Sequence, residues 1–171
     1  MQPTGARPRS EYAARRLWLC ADDYGIAPGV NAAIRDLIGK RRLNATSVMV
    51  VAPSFNQEAA HALRELAQPA EVAIGLHITL TAPYRPLTSS YKPVRKGLFL
   101  SLRHTFVRAL VRRLDTAALA AEIAAQFDAF TAAFGRPPAF VDGHQHVHLL
   151  PQVRTAVLTA IAARAPGAWA R

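Results

Sequence analysis

Short apolar runs of strand composition alternate along this chain with segments of helical spacing, and that order limits the fold more than any other feature. Arg16–Ala21 is an apolar run that ends in the pair Asp22-Asp23; Tyr24-Gly25 follow as a turn. Pro28 then opens a helix whose apolar stripe is Val30, Ile34, Leu37 and Ile38. Thr46–Val51 is rich in β-branched residues and predicts a second strand. Asn56–Ala67 predicts a helix with Ala59, Leu63 and Leu66 inward and His61 in solvent, and Val72–Leu80 predicts a third strand. Thr81–Ser101 contains three prolines and no helical period, the pattern of a lid, a binding loop or a disordered segment. Leu102, Phe106, Leu110 and Leu114 recur at every fourth position, with Arg103, Arg108, Arg112 and Arg113 between them, predicting a basic amphipathic helix. Asp115 or Thr116 caps the next helix, striped by Leu119, Ile123, Phe127, Phe130 and Phe134 and stopped by Gly135 and Pro137. Phe140-Val141-Asp142 begins a fourth strand, Pro151–Ala165 predicts a helix with Val153, Val157 and Ile161 inward, and Ala168–Arg171 begins a fifth strand.

The alternation argues for an α/β fold, a parallel sheet with helices outside it. A closed eight-stranded barrel takes about 200 residues or more. The 171 residues here, with four and a half strands, therefore predict an open sheet or one part of a larger barrel, and the apolar end at Trp169 favours the second. Residues 1–15 are expected to be a flexible basic arm and 16–171 a single domain, with 81–101 a lid-like loop. No apolar run reaches the roughly 18 residues of a membrane span. The first ten residues lack the apolar core of a signal peptide, and the lone Cys20 suits a reducing compartment, so the cytoplasm is the expected location. Net charge is +10, concentrated in Arg85–Arg113, which holds eight Lys or Arg and no Asp or Glu.

Three of the six histidines fall in Asp142-Gly143-His144-Gln145-His146-Val147-His148, at a spacing of two. In an extended strand that spacing would aim all three imidazoles to one side, a disposition suited to metal binding or proton transfer. The plainer alternative is a surface histidine cluster. In parallel α/β sheets ligands bind at the C-terminal ends of strands. Asp22-Asp23, His77 and the histidine run all fall at such ends, while each alone has an ordinary explanation as a helix cap or a core histidine. One carboxylate with two imidazoles is a divalent-metal set that leaves positions for water and substrate, and a second carboxylate beside it can take a proton. That is equipment for hydrolysis of an amide or ester.

Ala21-Asp22-Asp23-Tyr24-Gly25, Gly75-Leu76-His77-Ile78-Thr79-Leu80 and Asp142–His148, in that order, resemble the YdjC-like carbohydrate deacetylases, a family that includes chitooligosaccharide and hopanoid-associated deacetylases. The resemblance runs from about Leu17 to Arg171. It implies a (β/α) barrel-like fold of the NodB and TIM-barrel kind, here its N-terminal part, and removal of acetyl from an N-acetylated sugar. It implies one divalent metal ion, with Mg or Zn expected, held by Asp23, His77 and His144, and Asp22 as general base. His146, His148 and Arg171 would bind substrate or move protons. Family members continue through further strands. An exposed sheet edge, and with it a homo-oligomer, is therefore expected.

Three other readings compete. A two-His, one-carboxylate iron oxygenase has the ligand types, but its usual β-sandwich scaffold lacks this helix alternation. Arg85–Arg113 could make the chain a basic module that grips an anionic partner, although few aromatics are interleaved for nucleic-acid stacking. A catalytically incomplete homologue is the third.

Overall fold

The computed structural model describes residues 17–67 and 72–171; the expected basic arm, residues 1–15, lies outside the described residues. The elements run β1 (Cys20–Tyr24), α1 (Pro28–Gly39), β2 (Ala45–Val48), α2 (Gln57–Ala67), β3 (Ala73–Ile78), α3 (Leu102–Leu110), α4 (Thr116–Phe134), β4 (Phe140–Gly143), a 3-10 segment (His144–Leu149), α5 (Val153–Arg164) and β5 (Trp169–Ala170). All five strands are parallel and lie in the order β1-β2-β3-β4-β5. Adjacent parallel strands need right-handed crossovers, which lay every helix on the same side of the sheet. The fold is therefore the singly wound α/β arrangement of a barrel wall.

The sheet is curled. Flat strands about 4.8 Å apart would hold β1 and β5 roughly 19 Å from each other. Yet Arg171, just beyond β5, places its guanidinium 2.6 Å from Asp22 of β1. The rings of Trp18 and Trp169 also approach to 6.0 Å. Only a trough brings the two edges that close.

Side chains alternate between the faces of each strand. The convex face carries Val48, Ile74, Leu76, Ile78 and Val141 into the main core, where Ile34, Ile38, Leu63, Leu119, Ile123, Phe127 and Phe130 meet them from the helices. The concave face carries a small second cluster: Ala45, Ala73 and Phe140, with Cys20 and Trp169 against them. Phe140 stacks on Trp169 at 4.7 Å between centroids. Alanines on β2 and β3 leave room for these rings, and Gly75 is part of that space. A Cβ there would sit 2.5 Å from the Phe140 ring.

Several expectations shift. The first strand lies later than its apolar run suggested, because Leu17, Trp18 and Leu19 are exposed and pairing begins at Cys20. The Asp pair is thus inside β1. Leu66, expected inward on α2, is partly exposed, while Ala60 takes its place in the core. α4 is the one helix among the described residues that reaches the length and composition of a membrane span, and half of that stretch is buried inside the fold. Its faces are otherwise engaged: it packs on α2, α5 and β3.

Thr81–Ser101 is an ordered excursion closed at its neck by Ala82 N–H to Leu100 O and Phe99 N–H to Tyr84 O. Tyr84, Tyr91 and Phe99 are buried beneath it. The buried carboxylate of Glu122 on α4 accepts from the backbone N–H of Leu87 and Thr88 and from the Thr88 hydroxyl. One turn on, Gln126 pairs with both N–H and C=O of Thr79, as a neighbouring strand would.

Candidate metal centre

Above the Phe140–Trp169 layer, the next concave-facing positions of the five strands are Asp22, Ser47, His77, Asp142 and Arg171, at the C-terminal end of the trough. Polar residues replace apolar ones there within one strand repeat. His77 lies opposite Asp142 in the β3–β4 register. Their side chains meet at 2.6 Å between His77 Nδ1 and Asp142 Oδ1, and Ser47 Oγ is 3.1 Å from the same nitrogen. This leaves Nε2 as the outward-facing atom of His77.

Asp23 is aimed by a backbone irregularity. Three residues of β1 span two of β2 between Ala21 and Tyr24, and Asp23 has φ +65°. An extra residue in one strand bends it and turns a side chain off the regular alternation. Asp22 and Asp23, though adjacent, therefore both reach the mouth of the trough. Asn31, buried on α1, holds the following turn by accepting from Gly25 N–H and donating to Ser54 O.

Gly143 ends β4, and the chain then turns sharply. Gln145 and His146 both lie in the left-handed region, φ +53° and +58°. The expected extended run of three aligned imidazoles is thereby corrected. A strand cannot continue through two left-handed residues, and the histidines point to three environments. His144 faces Asp23, with 2.9 Å between Nδ1 and Oδ1. His146 is exposed and has no hydrogen-bond partner among the described residues. His148 is buried, and its Nε2 lies 2.9 Å from the Arg171 carbonyl. Gly143 permits this fold-back, since a Cβ there would meet His148 Nδ1 at 2.7 Å.

One carboxylate oxygen, Asp23 Oδ1, therefore sits between His77 Nε2 at 3.2 Å and His144 Nδ1 at 2.9 Å. Ligand atoms of these three residues lie within 4.8 Å of one another, a group able to hold a metal ion. The donor set fits a divalent cation by its chemistry. Two imidazole nitrogens and a carboxylate converge, and the far nitrogen of His77 is fixed by Asp142, as ligating histidines commonly are. Tyr84 from the ordered excursion stands edge-on to His144 at 5.7 Å.

Around this triad Arg171 joins two carboxylates. It donates to Asp22 Oδ2 at 2.6 Å and lies 2.9 Å from Asp142 Oδ2. Asp22 Oδ1 accepts from Ser47 Oγ at 3.3 Å. Burial by itself would lower the His77 pKa, but the hydrogen bonds to Asp142 and Asp23 outweigh it and hold the ring at about 9. The hydrogen bond from His77 leads the effects that hold the Asp23 carboxyl below its usual range. Burial lowers His148, and it raises Cys20 to about 12.

The sequence profile described as YdjC-like protein matches residues 16–171. This chain belongs to the YdjC-like family. Its relatives include chitooligosaccharide deacetylases of Yersinia pestis (strain Pestoides F) and Yersinia pseudotuberculosis serotype O:1b (strain IP 31758). Each is 35% identical over 133 residues, covering 78% of this chain and 50% of the relative. The chain spans about half the length of the curated relatives it matches. In fold it is similar to the crystal structure of a candidate cellobiose-phosphate cleavage protein from Enterococcus faecalis V583. The TM-score is 0.69 and the identity 24%, covering 86% of this chain and 55% of that one. That likeness speaks for the architecture of the YdjC-like fold and for nothing finer.

For this YdjC-like chain, the structure brings Asp22, Asp23, His77, His144, His148 and Arg171 together and leaves His146 at the exposed rim. Sequence reasoning missed Asp142, Ser47 and Tyr84 as parts of the site. Asp142 carried a signal, since it opens the histidine run on a strand, but its pairing with His77 depends on register between segments 65 residues apart. Ser47 carried none. Tyr84 lies in a loop without periodicity.

Proposed function

We propose that the chain carries the metal-dependent site of a carbohydrate N-deacetylase, which hydrolyses the acetamide of an N-acetylated sugar. The observation that carries this reading is the meeting of Asp23, His77 and His144 beside a second carboxylate, Asp22, at the mouth of the trough. The names of the 35%-identical relatives supply the substrate class.

Asp23, His77 and His144 would hold one divalent cation, with Mg or Zn proposed, which supplies a Lewis acid for the acetyl carbonyl and lowers the pKa of water. The remaining steps belong to the protein. Asp22 takes the proton of the attacking water; Arg171 and Ser47 hold its two oxygens and fix its direction. Asp142 fixes the ring plane and tautomer of His77. His148 is engaged with the Arg171 backbone, so its role is to keep the Arg171 strand end in place. His146, exposed at the rim, gives its proton to the departing amine. Tyr84 packs edge-on to His144 and narrows access of bulk water to it.

Acetate release from N-acetylglucosamine oligomers by the metal-loaded chain tests the proposal. Release is expected, with loss of at least roughly a hundredfold in Asp22→Asn and retention of bound metal in that variant. Metal-loaded protein that releases no acetate from any oligomer, or an Asp22→Asn variant as active as the parent, overturns it.

A further inference from the structure

The α3 helix is amphipathic in the opposite sense to a core helix. It seats itself on the protein through Thr105 and Ala109, both buried and one turn apart. The aliphatic and aromatic side chains point away. Leu102 is 37% exposed, Phe106 44%, Val107 51% and Leu110 53%, and Val111, the residue that ends the helix, is 56% exposed. Leu149, on the 3-10 segment that α3 touches, is 59% exposed. Exposed apolar side chains gathered on one side of a helix mark an interaction site, and Arg103 stands among them between Leu110 and Val107.

The charge around that face narrows the partner. Arg103 and Arg108 lie on α3, and Arg112 and Arg113 follow its end; all four are exposed. The preceding excursion adds Arg85, Lys92, Arg95 and Lys96, also exposed, and no Asp or Glu occurs anywhere from Arg85 to Arg113. A second copy docking through the same face would set eight cations against eight with no carboxylate between them. A nucleic acid would use the cations but strand the aliphatic side chains, and Phe106 is the lone Phe, Tyr or Trp on the helix for base stacking. Aliphatic side chains ringed by arginines, whose stems can lie along apolar surface while their heads stay in water, match an interface that is anionic outside and apolar beneath.

We propose that the outward face of α3 docks on an anionic lipid surface, with Phe106, Leu110 and Val111 entering the acyl boundary and the flanking arginines on the headgroups. The 3-10 segment under α3 carries His144, so docking would hold the metal centre one element away from the interface. This inference does not depend on the deacetylase reading.

Cosedimentation of the intact chain with phosphatidylcholine vesicles containing roughly one-third phosphatidylglycerol tests it. The protein is expected to pellet with these vesicles and not with pure phosphatidylcholine, and to be released as salt rises. Phe106→Ser with Leu110→Ser is expected to lower partitioning roughly a hundredfold, because both side chains leave the acyl boundary. Both positions are exposed, so circular dichroism should match the parent. A second variant, Arg108→Ser with Arg113→Ser, is expected to lower it by more than roughly tenfold. No pelleting with anionic vesicles at low salt overturns the proposal. So does equal pelleting of the Phe106/Leu110 variant, or a dimer in light scattering that this variant dissolves, which would make a second copy the occupant.

Discussion

His77 gathers more of the site than any other residue. One ring nitrogen meets Asp142 and Ser47, the other meets Asp23, and the ring is almost fully buried. In Asp142→Asn the amide can still touch Nδ1, but it no longer offers a carboxylate that fixes the tautomer with Nε2 outward. Metal affinity is expected to fall roughly 10- to 100-fold, read by calorimetric titration, with little change in the circular dichroism spectrum. The sign of the pH effect follows from the same contacts. With its pKa held at about 9, the His77 ring of the metal-free chain is protonated at neutral pH and must lose that proton to bind metal. Metal affinity should therefore rise with pH up to about 9 and level off above it, with proton release visible as a dependence of binding heat on buffer. Residue identities at this scale were legible in the sequence. Asp22, Asp23, His77 and His144 could be named from their places at strand ends and from family resemblance. Their supports could not, because Asp142 and Ser47 acquire their roles through strand register, which no local pattern encodes.

Between α4 and the 81–101 excursion, one buried carboxylate carries the contact. Glu122 accepts from three donors at Leu87 and Thr88 and a fourth from Gln126. Glu122→Ala would leave the buried Gln126 donor and the part-buried donors at Leu87 and Thr88 without this acceptor, and an unfolding free energy lower by about 1–2 kcal/mol is expected from urea titration. Amide exchange at Leu87 and Thr88 should quicken, and Glu122→Gln should restore part of the loss. Tyr91, beneath the same segment, gives a pH signature. Burial, and then the charge of Glu122, raise its hydroxyl to about 12 from an ordinary value of 10.0. The unfolded chain thus ionises first, and stability present below pH 10 falls as pH climbs toward 12. Cys20, also raised to about 12, adds its own alkaline slope from near pH 9. Tyr91→Phe should leave stability near neutrality unchanged and flatten only the tyrosine part of the fall, by about 2 kcal/mol at pH 12. Periodicity located these helices well. It did not tell which way a stripe faces: α3 has the spacing of a core helix, yet Thr105 and Ala109 are its seats. Nor could a spacing of two reveal that the histidine run leaves the strand, since Gln145 and His146 adopt left-handed backbone without any glycine to announce it.

Across the molecule, the strand–helix order was read correctly and the parallel singly wound sheet follows from it. The curl was not legible. It depends on small residues facing the trough at Ala45, Ala73 and Gly75, where Phe140 and Trp169 stack, and alanine in a strand carries no sign of which face it serves. Gly75→Ala is expected to destabilise the fold by about 1–3 kcal/mol, because its methyl would overlap the Phe140 ring. Phe140→Leu in the same chain should recover part of that loss, a non-additivity that urea unfolding of both single variants and the double variant would display. The curl is also what lets Arg171 span from β5 to Asp22, so the site exists only because the sheet is bent.

Whether Asp23, His77 and His144 together hold one metal ion is read by calorimetric titration of the metal-stripped chain with Zn, beside the His77→Ala variant. The predicted result is one ion per chain, with proton release, and no uptake at that site in the variant. A parent chain that takes up no ion, or a His77→Ala variant that binds one as tightly as the parent, would contradict it.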